Sequence, residues 1–347
     1  MRTPTPKGSR SQYLASFLAL SFLVLSVPPR TVSQEGSFTT FDVPGAAYAF
    51  PSSINEEGGI TGYYADAGGY HGFVRDRYGT VTTFDAPGAV PAIGTNPSSI
   101  NEEGVVVGTF FTNRVDGNFY FPSHGFIRRK EGTITTFDGP SGPPGTIANS
   151  INENGVIAGA TGFNAFLLRK GGTFTVFNVP DAIRTVAVSI NRIGAIAGSY
   201  YDASGAIHGF VRNASGTITK FDIPFNFGGV VSMNDLGTIT GVVYDVENSV
   251  SHGFVRDPQG TISTFDAAQY ATTFVQGINN EGAIVGYYYG VGNYHGFVRN
   301  RSGRITTFDV PGSLRGSTQA LSINDEGDVA GVYEDFNFGS HCFVWRR

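Results

Sequence analysis

Four short signatures recur seven times each along this chain, always in the same order. A Ser-Ile-Asn-like triplet ends at Asn55, Asn101, Asn152, Asn191, Asn234, Asn279 and Asn324. A glycine follows at Gly62, Gly108, Gly159, Gly198, Gly241, Gly286 and Gly331. A His-Gly-Phe-like triplet then starts at positions 71, 124, 164, 208, 252, 295 and 341. A Thr-Phe-Asp-like triplet ends at 42, 85, 138, 178, 222, 266 and 309. The histidine position repeats every 40 to 53 residues, the period of four-stranded propeller blades. Val, Ile, Thr, Tyr and Phe runs broken by Gly, Asn, Asp and Pro give the copies an all-β composition.

Spacing separates rigid connections from free ones. The Asn-to-Gly interval is seven residues in every copy, across turns such as Asn55-Glu56-Glu57-Gly58. Asn favours the first position of a type I turn, and Gly the left-handed position after it. The His-to-Asp interval is 14 residues wherever both lie on one stretch, across Arg77-Tyr78-Gly79 or Arg301-Ser302-Gly303. A three-residue loop ending in Gly predicts a turn with a bulge. The other two connections vary, from 5 residues (Gly159 to Asn164) to 16 (Gly108 to His124), and from 12 to 16 between Asp and the next Asn. Alternate connections of a meander lie at the same end of its strands. All length variation therefore falls on one face, and the fixed turns fall on the other.

The chain ends are complementary. A lone fourth strand, Ser37 to Asp42, precedes the first full copy, and the last copy stops at a third strand, His341 to Trp345. The expected fold is a seven-bladed propeller of four-stranded blades, spanning 34–347 and closed by strand 37–42 completing blade 320–345. Closure removes two exposed sheet edges.

Residues 1–33 read as a secretory signal: Arg2, Lys7 and Arg10, then an apolar run from Tyr13 to Val27, then small residues that place the cut near 26 or 33. The run is shorter than a membrane span of about 20 residues. Removing the four basic residues of this segment leaves 19 basic against 28 acidic residues. That balance offers no stripe for nucleic acid. Cys342 is the single cysteine, so no internal disulfide forms. The mature protein is expected to be an extracellular monomer without a membrane span.

No G-x-S-x-G, H-E-x-x-H or phosphate-loop spacing occurs, and no catalytic, metal or cofactor residues are assigned. The six histidines occupy one position of the unit, and one per blade cannot converge on an ion. The 14-residue spacing instead pairs His71 with Asp85, His124 with Asp138, His208 with Asp222, His252 with Asp266 and His295 with Asp309, while closure pairs His341 with Asp42. The third copy has Asn164 and Asn178 at both positions. Such pairs are expected to tie the two outer strands together, and they are similar to the His and Asp network of WD-type propellers. The carboxylates of Glu56-Glu57 and Glu102-Glu103, in the fixed turns, are read as solvated.

The candidate ligand face is the variable one, where aromatic and acidic residues adjoin: Tyr64, Asp66, Phe111, Tyr120, Tyr201, Asp202, Tyr244, Asp245, Tyr288 and Asp335. Amphipathic rings beside carboxylates suit sugars or peptides. The expected function is non-enzymatic binding or cell-surface interaction, with an extracellular glycan or protein as partner. The alternative is a polysaccharide-acting hydrolase or lyase using acidic residues of the same face.

The pattern of SIN, strand glycine, HGFVR and TITTFD followed by Pro-Gly resembles the HAF family of extracellular repeats in bacterial secreted proteins. The resemblance covers about residues 37 to 345. The family's His-Ala-Phe triplet is His-Gly-Phe in most copies here, Asn164-Ala165-Phe166 in the third and His341-Cys342-Phe343 in the last. The resemblance implies export and repetition, and no activity.

Overall fold

The computed structural model describes residues 36–113, 121–141, 145–314 and 316–346. Residues 1–33, where the sequence leads to the expectation of a secretory signal, lie outside the described residues. Seven sheets of four antiparallel strands form a seven-bladed propeller. Blade I comprises β2 (Tyr48–Ile54), β3 (Ile60–Asp66), β4 (Gly69–Arg75) and β5 (Val81–Phe84). Blades II to VI repeat that order over 95–137, 146–177, 184–221, 228–265 and 272–308. Blade VII takes β26 (Gln319–Ile323), β27 (Val329–Glu334) and β28 (Ser340–Arg346) from the end of the chain and β1 (Ser37–Phe41) from its start. β1 pairs with β28 in the register Ser37 to Arg346 through Phe41 to Cys342, as the complementary ends require.

Each signature has a packing reason. The Phe of the His-Gly-Phe position is fully buried in all seven blades, from Phe73 to Phe343. Burying such a ring contributes about 1.5–3 kcal/mol. The strand glycine makes room for it. A Cβ on Gly62 would lie 2.1 Å from the Phe50 carbonyl oxygen and 2.8 Å from the Phe73 ring, and the other six strand glycines are as tight. The Phe of the Thr-Phe-Asp position serves the seam to the next blade. The Arg75 guanidinium sits 4.8 Å over the Phe41 ring, and Arg128, Arg212, Arg256 and Arg299 repeat the contact with Phe84, Phe177, Phe221 and Phe265. Where the arginine is missing, Trp345 stacks on Phe308 and Leu168 packs near Phe137.

The Ser-Ile-Asn position joins the blades around the axis. Each Asn Nδ2 donates to the carbonyl of the equivalent Asn in the next blade: Asn55 to Asn101, Asn101 to Asn152, Asn152 to Asn191, Asn191 to Asn234, Asn234 to Asn279, Asn279 to Asn324, and Asn324 back to Asn55, at 2.9–3.4 Å. The same side chain's Oδ1 accepts the amide four residues on, as from Gly59 to Asn55 (2.7 Å) and Thr238 to Asn234 (2.9 Å). The serine two residues earlier accepts the next blade's amide, Ile100 to Ser53 at 3.3 Å and Met233 to Ser189 at 3.2 Å. Gly277 stands at that serine position in blade VI and offers no hydroxyl. One register shift precedes this position in every inner strand, for example between Pro51 and Ser53. Pro51 and Pro97 are tolerated because they fall at these bulges of an edge strand.

The ring makes a testable demand. Asn234→Ala removes one buried and one half-buried hydrogen bond and leaves the Asn279 carbonyl with the Gly282 amide alone, so urea unfolding should show a loss of about 1–3 kcal/mol. A loss below about 0.5 kcal/mol, the level of an ordinary surface substitution, would show the ring to be dispensable.

Candidate functional site

Two surfaces are built by the repeat. At the fixed-turn end, a cavity of about 340 Å³ lies on the axis. Its wall includes Ile54, Ile100, Ile151, Ile190, Met233, Ile278 and Ile323, and its rim includes Glu56, Glu102, Glu153, Arg192, Asp235, Asn280 and Asp325. These rim residues each follow the ring asparagine, and most accept an amide from the blade before. Glu56 N–H donates to Glu102 (2.8 Å), Glu102 N–H to Glu153 (2.9 Å), Asp235 N–H to Asn280 (2.7 Å) and Asp325 N–H to Glu56 (2.8 Å). Arg192 cannot accept, and at that seam Asn154 Nδ2 reaches the Arg192 carbonyl instead, at 3.0 Å.

This corrects the reading of the paired glutamates as solvated turn residues. Glu56 and Glu102 are half-buried in the collar, whereas Glu57 and Glu103 face outward toward Lys130 and Lys170. Burial pushes the Glu56 carboxyl up from 4.5 to about 7, against the Asp325 amide and with help from the Asp325 and Glu102 charges. Burial likewise raises Glu153.

At the variable end, the histidines and acids come together blade by blade. Nδ1 of His71 lies 2.9 Å from Asp85, of His124 2.6 Å from Asp138, of His208 3.0 Å from Asp222, of His252 2.6 Å from Asp266, of His295 2.9 Å from Asp309 and of His341 2.7 Å from Asp42. In blade III, Asn178 Nδ2 donates to Asn164 Oδ1, and Asn164 Nδ2 donates to Ser141 Oγ at 3.2 Å. The link between outer strands thus persists without charge.

The other imidazole nitrogen has partners that spacing alone did not reveal. Nε2 meets Asp66 in His71 (3.2 Å), Asp202 in His208 (3.2 Å), Asp335 in His341 (3.5 Å) and the Thr112 hydroxyl in His124 (3.1 Å). Burial acts to lower the His341 value, but Asp42 and Asp335 outweigh it and the net shift is upward from 6.5. The stabilisation is therefore complete below pH 6.5 and fades as pH rises through the raised value.

The candidate residues divide into three groups. Tyr64 lies under the His71 ring at 5.1 Å and Tyr288 under His295 at 5.2 Å, so these rings are supports within the blade. In blade V the residue opposite His252 is Val243, and Phe225 stacks on the imidazole from the preceding link at 5.6 Å. Asp66, Asp202, Asp245 and Asp335 each buckle their own loop by accepting backbone amides, as Asp335 does from Asn337 and Gly339 at 2.8 Å. These bonds hold all four carboxyls below their ordinary range, and the Ser204 hydroxyl with His208 takes Asp202 to about 2. Phe111 and Tyr201 are half-buried and Tyr244 is exposed, while Tyr120 lies outside the described residues.

Exposed aromatic surface concentrates instead on the loops of blades V to VII: Phe225, Phe227, Tyr244, Tyr270, Tyr289, Tyr294, Phe336 and Phe338. Tyr270 is 93% exposed and Phe338 76%. Three of these bulky residues sit in the left-handed region, Phe225 (φ 65°), Tyr270 (φ 58°) and Phe338 (φ 63°). Phe338 occupies the turn position taken by Gly205 (φ 85°) in blade IV. An aromatic side chain there costs backbone energy that packing does not return, and such outliers concentrate at functional loops. Among the described residues, no group of three or more His, Cys, Asp or Glu is placed to hold a metal ion.

No protein-family model and no curated protein matches the chain. Solved structures do. A catalytically inactive virginiamycin B lyase from Staphylococcus aureus, with quinupristin, is similar at TM-score 0.62 and 12% identity over 90% of this chain and 100% of that one. A streptogramin B lyase is similar at 0.61 and 14%, over 90% and 98%. The β-propeller domain of the Trilobed protease from Pyrococcus furiosus, described as having an open velcro topology, gives 0.58 and 10%, over 86% and 94%. At these identities the likeness establishes the propeller fold. This chain differs from that open topology in pairing β1 with β28.

Two predictions follow from these contacts. A double-mutant cycle of His208→Ala and Asp222→Ala should give a coupling of about 0.2–1 kcal/mol, the range for an exposed pair, whereas strict additivity would leave the pair without energetic meaning. Glu56 opposes folding once ionised: the cost is absent below pH 4.5, where both states are protonated, and complete above about 7. Glu56→Gln should accordingly gain on the wild type by about 0.5 kcal/mol after solvent screening between those limits, read as Tm against pH; a gap independent of pH would contradict it.

Proposed function

We propose that the protein is an exported binding module of the HAF-like kind that engages an extracellular glycan or protein through its variable-loop face, at blades V to VII. The observation that carries this is the run of exposed aromatic rings there, three of which, Phe225, Tyr270 and Phe338, stand at backbone positions that favour glycine. A rigid ring of blades with function on its loops is the usual division of labour in such scaffolds.

An enzyme of the polysaccharide-cleaving kind would need two carboxyls about 5–9.5 Å apart, one of them able to stay protonated and donate. The loop acids Asp66, Asp202, Asp245 and Asp335 are all shifted toward the ionised form, which suits electrostatic attraction and not proton donation. The lyases of similar fold lend no activity at their level of identity.

The mature protein should bind members of a combined glycan and peptide array. Phe336→Ser with Phe338→Ser should weaken that binding at least about tenfold, since exposed aromatic anchors dominate such contacts. Tyr78→Ser, on the fixed-turn face, should leave it unchanged. A folded protein that binds nothing on the array would count against a binding role.

A further inference from the structure

The two faces differ in charge as well as in shape. Among the described residues, the variable-face loops and the adjoining strand ends carry 13 carboxylates against two basic side chains, Arg184 and Lys220. The fixed-turn face carries the other 13 described carboxylates together with 14 lysines and arginines. The division follows from the repeat. The arginine that ends His-Gly-Phe-Val-Arg points its blade's positive charge to the fixed-turn end, whereas the Asp of Thr-Phe-Asp returns negative charge to the variable end.

The two described basic groups of the variable face are already occupied. Lys220 Nζ donates to the Pro180 carbonyl at 2.7 Å and lies 3.7 Å from Asp181, and Arg184 lies 5.7 Å over the Tyr201 ring. Around the aromatic patch, Glu247 and Glu334 are exposed and no described cation adjoins them. Neutral rings set among described charges that are predominantly negative suit a partner that brings the opposite sign.

Resting on the reading of this face as a binding surface, we propose that its partner is a lysine- and arginine-rich polypeptide segment, docked across the loops of blades V to VII. The exposed faces of Tyr244, Tyr289, Phe336 and Phe338 can take guanidinium groups by cation–π contact and cover the apolar stems of long basic side chains. Glu247 and Glu334 supply charge at the rim, and the field of the whole face draws the segment in. Phosphorylated or nucleic acid ligands carry the wrong sign for this surface.

Fluorescence anisotropy with the intact mature protein would test the assignment, using three labelled probes: an arginine-rich peptide, a Gly-Ser-Tyr peptide of the same length, and a neutral hexasaccharide. The arginine-rich peptide should bind at about 20 mM salt and lose at least about tenfold in affinity at about 500 mM, as a screened contact must. Phe336→Ser with Phe338→Ser, and separately Glu247→Gln with Glu334→Gln, should each weaken it at least about fivefold with Tm unchanged, as expected for anchor and rim contacts. Glu57→Gln with Glu103→Gln, on the fixed-turn face, should have no effect. Binding of the hexasaccharide or the uncharged peptide alone, weakened by the phenylalanine variant, would overturn the basic partner and leave the binding face standing. Basic-peptide binding that responds to the Glu57 and Glu103 variant and not to the loop variants would overturn the location. A folded protein that binds none of the three would overturn both this assignment and the binding reading beneath it.

Discussion

The ring of asparagine side chains is the contact on which the architecture depends. Each one satisfies a carbonyl of the next blade with Nδ2 and an amide of its own turn with Oδ1. Aspartate lacks the donor, and serine lacks the reach to serve both. A blade taken alone would leave the Nδ2 group of its ring asparagine without its acceptor, and its Phe41-type ring uncovered by the neighbouring arginine. The stable unit is therefore the closed ring. Closure by β1 on β28 completes a circuit that Asn324 finishes by donating to Asn55.

That circuit explains why the two faces have different freedoms. The fixed turns carry the asparagines and the collar acids, so a residue inserted there would break contacts to two neighbouring blades at once. The opposite connections meet no such demand and vary in length from blade to blade. Their order comes from local devices: an Asp that buckles its own loop, and a histidine stacked on the ring beneath it. Once those devices hold the loops, the rings that project beyond them on blades V to VII are free to meet a partner.

The collar and the loop acids also show two opposite uses of carboxylates in one repeat. Glu56 is half-withdrawn from water beside Asp325 and Glu102, and its charged form is disfavoured. Asp202 lies in the open and is surrounded by donors, and its charged form is favoured. One face tolerates negative charge as the cost of holding the ring, and the other displays it.

How much of this was legible in the sequence depends on the range of the interaction. Fixed spacings are local, so the two hairpins, the alternation of faces and the pairing of His208 with Asp222 could all be read from intervals of seven and 14 residues. The complementary ends announced closure for the same reason, since a missing strand is a matter of counting. Which neighbour a side chain meets across a seam is different. The Glu56 carboxylate accepts from the Asp325 amide, 269 positions away, and its outward-facing neighbour Glu57 has the same composition and the same turn around it. Tyr64 and Tyr288 looked like surface rings and proved to be supports for histidines, while Phe336 and Phe338 stand clear. By itself, the sequence determined the repeat, its count and the face on which variation is allowed, because those rest on short-range periodicity. Only the tertiary structure decided which carboxylates and aromatics are spent on holding blades together and which remain at the surface, because that depends on how one blade packs on the next.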